Sequence, residues 1–198
     1  MEQNSLFRMA LGATFDRLAP ALRRHYDLAP GQEVVIEGAM EAWNRFAWAR
    51  ALAPFMPIPG RQVPVYVRNR GLVDRGEVCY EWQREFRYPG SVVVSYTLTR
   101  PARDGRPARV LDTFNRPPNI GLTLALEVSA DGQALRQTTD GPQFLIRGER
   151  YTELPRFFHI HSVAVERAVD EHVIHTEVVV SHPAFGRMFG YSGVLSVV

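Results

Sequence analysis

The chain has 198 residues, 45% hydrophobic and 11% aromatic, which is enough apolar side chain for one sizeable core. Lys and Arg number 23 against 21 Asp and Glu, and the charges are spread without a basic run, which argues against nucleic acid as a partner. About eighteen apolar residues never follow one another without a charge, so a membrane-spanning helix is excluded, and the lone Cys79 excludes a disulfide framework and a multi-thiolate zinc site.

The opening Met-Glu-Gln-Asn-Ser is neither basic nor apolar enough for an export signal, so the expectation is one cytoplasmic domain over 1–198. Within it, 1–60 reads as a helical part and 61–198 as an antiparallel β part. Leu6, Met9, Ala10, Ala13, Leu18, Ala21, Leu22 and Tyr26 recur at spacings near three and four. They predict an amphipathic helix over 6–28, broken near Pro20 and ended by Pro30-Gly31. Glu33–Gly38 is a short strand. Trp43, Phe46, Ala47, Ala51 and Phe55 predict a second helix over 41–55, stopped by Pro54, Pro57, Pro59 and Gly60.

From residue 62 the period becomes two. Val63, Val65 and Val67 share one face, as do Val78, Tyr80, Trp82, Arg84, Phe86 and Tyr88, and then Val92, Val94, Tyr96 and Leu98. A three-residue loop, Pro89-Gly90-Ser91, would pair Phe86 with Val94, Arg84 with Tyr96 and Trp82 with Leu98. Further strands are predicted over 108–114, 121–129, 133–139, 143–150, 157–169, 172–181 and 187–197. Asp131-Gly132 marks a hairpin, while Pro117-Pro118 and Gly141-Pro142 mark loops. The fold class is therefore mainly β (α+β): a curled antiparallel sheet or a barrel of about eight to ten strands, with two N-terminal helices packed on or inside it. The apolar helix over 41–55 is the natural filler.

Chemistry concentrates in two places. If Asp170 and Glu171 are the tip of a hairpin, Val163 faces Val178 and His159 faces His182, so Val163, Val165 and Val178 point inward. His159, His161 and His182 then gather at the far end, where three imidazoles could ligate zinc; each could equally be bonded to backbone or water at the rim. Glu166 and His175 fall on the opposite, outer face as a surface pair. The second place is Arg84, a cation on an otherwise apolar and aromatic face. It could anchor a ligand carboxylate or phosphate, pair with Asp112 or Glu37, or lie with its stem on Trp82 at a barrel mouth.

Glycine-rich nucleotide loops, nucleophile elbows and His-Glu-x-x-His motifs are absent. Four stretches resemble an uncharacterised bacterial family called domain of unknown function 4166. They are Phe15-Asp-Arg-Leu-Ala-Pro-Ala-Leu-Arg-Arg-His-Tyr26, Met56-Pro-Ile-Pro-Gly-Arg-Gln-Val-Pro-Val65, Trp82-Gln-Arg84-Glu-Phe86 and Phe189-Gly-Tyr191-Ser-Gly193. The order of the stretches, more than any one of them, carries the resemblance. It implies a module that occurs alone or joined to a Rossmann-type reductase domain, and it transfers no activity and no catalytic residue. The chain departs from the family pattern at Glu85–Arg87 and in the histidine-rich segment 159–182.

The leading expectation is a non-catalytic module that binds a small apolar or amphiphilic molecule inside the sheet, lined by Arg84, Tyr96, Trp82, Trp43 and Tyr191. No cofactor is expected unless zinc binds the three histidines, which would make the same pocket an enzyme. A third expectation is an interaction domain, docking on a reductase or on a second copy through the edge strand Tyr191–Val198.

Overall fold

The computed structural model describes residues 4–46 and 58–197. Helix α1 (Leu6–Leu11), a 3-10 turn over Gly12–Arg17 and helix α2 (Pro20–Tyr26) precede eleven strands. Alternating Val, Ile, Tyr and Trp shape β1 (Glu33–Asn44), β2 (Gly60–Asp74), β3 (Glu77–Tyr88) and β4 (Ser91–Pro101). They are followed by β5 (Arg109–Phe114), β6 (Ile120–Val128), β7 (Ala134–Arg147), β8 (Arg150–Glu153), β9 (His161–Ala168), β10 (Val173–His182) and β11 (Gly186–Val197).

All the strand ladders are antiparallel, and β1 to β7 followed by β9, β10 and β11 form a ring of ten strands that closes where β11 meets β1. Of the two architectures the alternation allows, the closed barrel is the one adopted. β8 is a flap on the part of β7 that has left β9. Closure also corrects the expected docking edge: β11 is bonded to β10 on one side and β1 on the other, so its backbone is not free to pair with a second chain. No helix among the described residues is long and apolar enough to cross a membrane.

The barrel is filled at one end by the N-terminal segment. Pro20 begins α2 at a position where its missing N–H costs nothing, which explains the break in the predicted helix. Phe7, Phe15, Leu22 and Tyr26 are fully buried, each contributing about 1.5–3 kcal/mol of apolar burial. The ring of Phe7 lies 4.4 Å from that of Tyr26 and 5.2 Å from that of Tyr80. Asp27 accepts hydrogen bonds from Ser5 Oγ (2.7 Å) and Arg8 Nη2 (2.6 Å), which ties α1 to the end of α2, and the Arg8 bond holds its carboxyl below the usual range. Backbone bonds then fasten the segment to the barrel wall, from Ala19 N to Gly132 O and from Gly31 N to Gly71 O, both 2.9 Å.

The second helix is corrected. Glu41–Asn44 continue β1 in register with β11, Ala42 opposite Tyr191 and Trp43 opposite Gly190. Apolar residues at 42 and 43 serve opposite faces of a strand as readily as one face of a helix. The remainder of that prediction, 47–55, lies outside the described residues, so the filler seen here is α1 and α2. The Gly141-Pro142 loop is likewise a bend within β7, where Thr123 Oγ1 donates to Pro142 O.

Two hairpins differ from expectation by one residue. Tyr88 pairs with Ser91, leaving the two-residue turn Pro89-Gly90, so Arg84 faces Ser95 and Trp82 faces Thr97. In the β9–β10 hairpin, Ala168 pairs with Ile174 because Asp170 Oδ1 accepts from the N–H groups of His172 and Val173, which shapes a longer turn. A one-residue slip exchanges the faces of a strand. Ser95, Thr97 and Thr99 therefore point into the barrel with Ser162, Ala164 and Glu166, while Tyr96, Val163 and Val165 point out.

Candidate functional site

The interior below the helices is polar where an apolar core is expected. A cavity of about 80 Å³ is lined by Trp82, Arg84, Asp112, Gln137, Glu166 and Tyr191, with Thr97, Ser162 and Thr176 among the other polar groups. Phe114, Leu122, Leu124 and Val178 supply its apolar wall. The alternation of eight strands aims these side chains inward, so the site belongs to the barrel and not to a loop.

One side of the cavity is the floor made by α2. Glu166, almost fully buried, accepts hydrogen bonds from Tyr26 Oη (2.7 Å) and Thr176 Oγ1 (3.3 Å). Nε2 of His25 lies 3.1 Å from Glu166 Oε2 but is not aligned for a hydrogen bond. Burial pushes the Glu166 carboxyl up, yet the nearby His25, the Tyr26 hydroxyl and the field of Arg84 outweigh it and hold the carboxyl below its ordinary range. Gln137 Nε2 donates to Tyr26 Oη at 2.8 Å, and Tyr80 Oη donates to the carbonyl of His25, so the floor is pinned from three strands. Burial raises the Tyr26 phenol well above its usual value, which keeps it a hydrogen-bond donor.

The opposite wall holds Arg84 and Asp112. The Arg84 guanidinium stacks over the Trp82 ring at 4.6 Å and donates to Thr97 Oγ1 at 3.3 Å. No carboxylate among the described residues comes within 4 Å of it. Asp112 accepts from Thr99 Oγ1 at 2.6 Å, and Trp82 Nε1 donates to the same Thr99 oxygen at 3.1 Å, so a short relay holds the carboxyl in place. Burial pushes Asp112 up to about 6, against the Thr99 bond and the attraction of Arg84. Asp112 is only half-buried and keeps part of its surface open to the cavity, which weakens the effect of burial. The two carboxyls of one cavity are thus shifted in opposite directions.

Of the residues singled out from sequence, Arg84, Trp82 and Tyr191 line this cavity and Trp43 and Tyr96 do not. Trp43 lies over Gly190 on the outer face, and Tyr96 packs outside under the Arg116 guanidinium, 5.3 Å away. The three histidines do not converge. His159 Nε2 bonds to Leu154 O at 2.8 Å, His161 Nδ1 approaches Thr139 Oγ1 at 3.3 Å, and His182 Nε2 bonds to Phe157 O at 2.8 Å. Among the described residues no group of three His, Cys, Asp or Glu side chains is placed to hold a metal ion. Glu37 is exposed, so neither acid considered for Arg84 pairs with it. Glu166 and His25 escaped sequence reasoning. Glu166 was lost with the one-residue register error, for which the Asp170 turn was the available signal, and His25 was hidden on the apolar side of an amphipathic helix.

A larger cleft of about 580 Å³ lies outside the barrel between Arg75, Arg100, Arg103 and Tyr151. Its charges are answered locally, Arg75 by Glu149 and Arg100 by Asp74, and it gathers no inward-facing chemistry. The interior cavity is therefore the candidate site. Compared with known proteins, the sequence of residues 18–195 matches the family described as domain of unknown function (DUF4166). No curated protein matches the chain.

Proposed function

Since the chain belongs to the DUF4166 family, whose description assigns no activity, we propose from its geometry a non-catalytic binding module for a small amphiphilic ligand held head-inward in the barrel. The observation that carries this reading is Arg84: a guanidinium at the cavity wall, oriented by Trp82 and Thr97 and without a carboxylate partner among the described residues. A cation set aside in this way fits a ligand carboxylate through its fork of donors, with Phe114, Leu122, Leu124 and Val178 beside the apolar remainder. The cavity is well below the roughly 300–1,000 Å³ of drug-sized sites, so the head and a few carbons are what it encloses.

Native mass spectrometry of freshly purified protein, followed by titration with alkyl carboxylates from butyrate to octanoate, tests the reading. The wild type is expected to retain or bind an organic anion. Arg84→Gln should weaken binding on the order of 30-fold, the worth of a charge-assisted hydrogen bond, with its urea midpoint unchanged. A bare protein that binds none of the series, or a variant that binds as well as the wild type, overturns it. Affinity should also rise as pH falls from 7 towards 5, because protonating Asp112 removes a competing negative charge from the field of Arg84.

A second reading, an acid–base enzyme in the same cavity, is favoured by the opposite shifts of Asp112 and Glu166, which suit an acid and a base respectively. In that case a retained ligand, once isolated and added back, is converted on incubation, and conversion stops in Asp112→Asn. Recovery of the ligand unchanged leaves the binding module.

A further inference from the structure

The end of the barrel opposite the helices carries a second feature, independent of the cavity. There the turn that joins β10 to β11 and the 3-10 turn Arg156–Phe158 that precedes β9 come side by side. They leave Phe157 68%, Phe158 59% and Phe185 46% exposed. His182 joins the two turns. Its Nε2 bonds to Phe157 O, its Nδ1 accepts from Ala184 N, and its ring lies 4.9 Å from Phe185 and 6.0 Å from Phe157. The Phe157 and Phe158 rings meet edge to face at 5.5 Å. The phenylalanines are thus held exposed on a braced rim.

Three exposed arginines frame the rim. Arg156 and Arg187 flank the aromatic turns, and Arg45 joins them at the end of β1, its N–H bonded to Met188 O and its guanidinium within 4 Å of the space a side chain on Gly186 would fill. None of the three forms an ion pair among the described residues. Glu41, nearby on β1, is answered by Arg61, and Glu153 is the acid nearest along the chain to Arg156. We propose that this rim is a docking surface for an anionic lipid membrane, into whose interface Phe157, Phe158 and Phe185 insert while Arg45, Arg156 and Arg187 meet the headgroups.

Charge decides between a membrane and a second copy of the chain. A two-fold contact through this rim would set arginines against arginines, whereas an anionic surface attracts all three. Aromatic residues projecting from short turns also suit the shallow depth of the headgroup boundary.

Co-sedimentation of the full chain with phosphatidylcholine vesicles, with and without phosphatidylglycerol, tests the proposal. The wild type is expected to bind the anionic vesicles and barely the neutral ones. Each arginine near such a surface is worth roughly five-fold in partition, so Arg156→Ser with Arg187→Ser should weaken binding on the order of twenty-fold. Phe157→Ser with Phe158→Ser should abolish it, while Arg84→Gln, which acts only inside the barrel, leaves it unchanged. The proposal is overturned by absence of binding to either vesicle, by equal binding to both, by wild-type binding in the arginine pair, or by a concentration-dependent dimer in sedimentation that Phe185→Ser dissolves.

Discussion

Asp112 and Glu166 make opposite predictions about pH. The Asp112 carboxyl goes from 3.8 in the unfolded chain to about 6 in the barrel, so the folded state holds its proton more tightly. From this group the protein gains stability as pH falls from about 6 to about 4, and the penalty is complete above that window. Asp112→Asn keeps an oxygen for the Thr99 hydroxyl and removes the penalty. At pH 7 it should stabilise by up to about 3 kcal/mol, less as cavity water reaches the carboxylate, and the gain should vanish near pH 4 in urea titrations. Glu166 runs the other way: its contribution is present above its unfolded value and is lost as pH falls through the depressed folded one. Glu166→Ala would leave Tyr26, Thr176 and His25 facing an empty position and should cost about 3–5 kcal/mol by the same measurement. At this scale the sequence disclosed Arg84 readily, because a cation on an aromatic face stands out. It concealed Glu166, because a carboxylate is assigned outward by default and only the register of β9 says otherwise.

Strands were the most legible part of the chain, since the period of two sets the existence and approximate bounds of most of them from β2 to β11; β8 was not expected, and β7 is one strand where two were expected. The faces of β4 and β9 were not. The rule that apolar residues point inward fails where the interior is polar: Ser95, Thr97 and Thr99 turn in towards Arg84 and Trp82, and Val92 and Val94 turn out. Turn chemistry, Pro89-Gly90 and Asp170, decides those registers over hydrophobicity. The attachment of the N-terminal segment rests on close backbone approach at β2. A Cβ on Gly71 would stand 2.3 Å from Leu28 O and 2.4 Å from Ala29 O, both unable to yield without moving the chain. Gly71→Ala should therefore destabilise by about 1–3 kcal/mol, and thermal unfolding would show it; an unchanged midpoint would mean that the segment is held elsewhere.

For the whole molecule, the closed ring predicts the pattern of amide exchange. Protection should be similar in β3 and β11, since each has a partner on both sides, and low along β8, which pairs only with β7. Fast exchange in β11 comparable to β8 would mean that the ring opens at the β1–β11 ladder. The barrel topology followed from the number of sequential hairpins, but its closure could not be read locally. It depends on Ile36–Asn44 meeting Phe189–Val197 across most of the chain.

That junction gives the molecule an order of assembly. A ribosome releases β1 early and β11 last among the ten, so for most of synthesis the nascent sheet carries an unpaired edge at β1 while the helices that will fill it are already present. Interior and wall can be sealed only when Gly186–Val197 emerge, and until then Tyr26, Trp82 and Glu166 remain open to water and to chaperones. A chain halted before Gly186 would lack one partner of β1 and one partner of β10. Quality control in the cell would meet a sticky half-barrel and not a shortened version of the finished one.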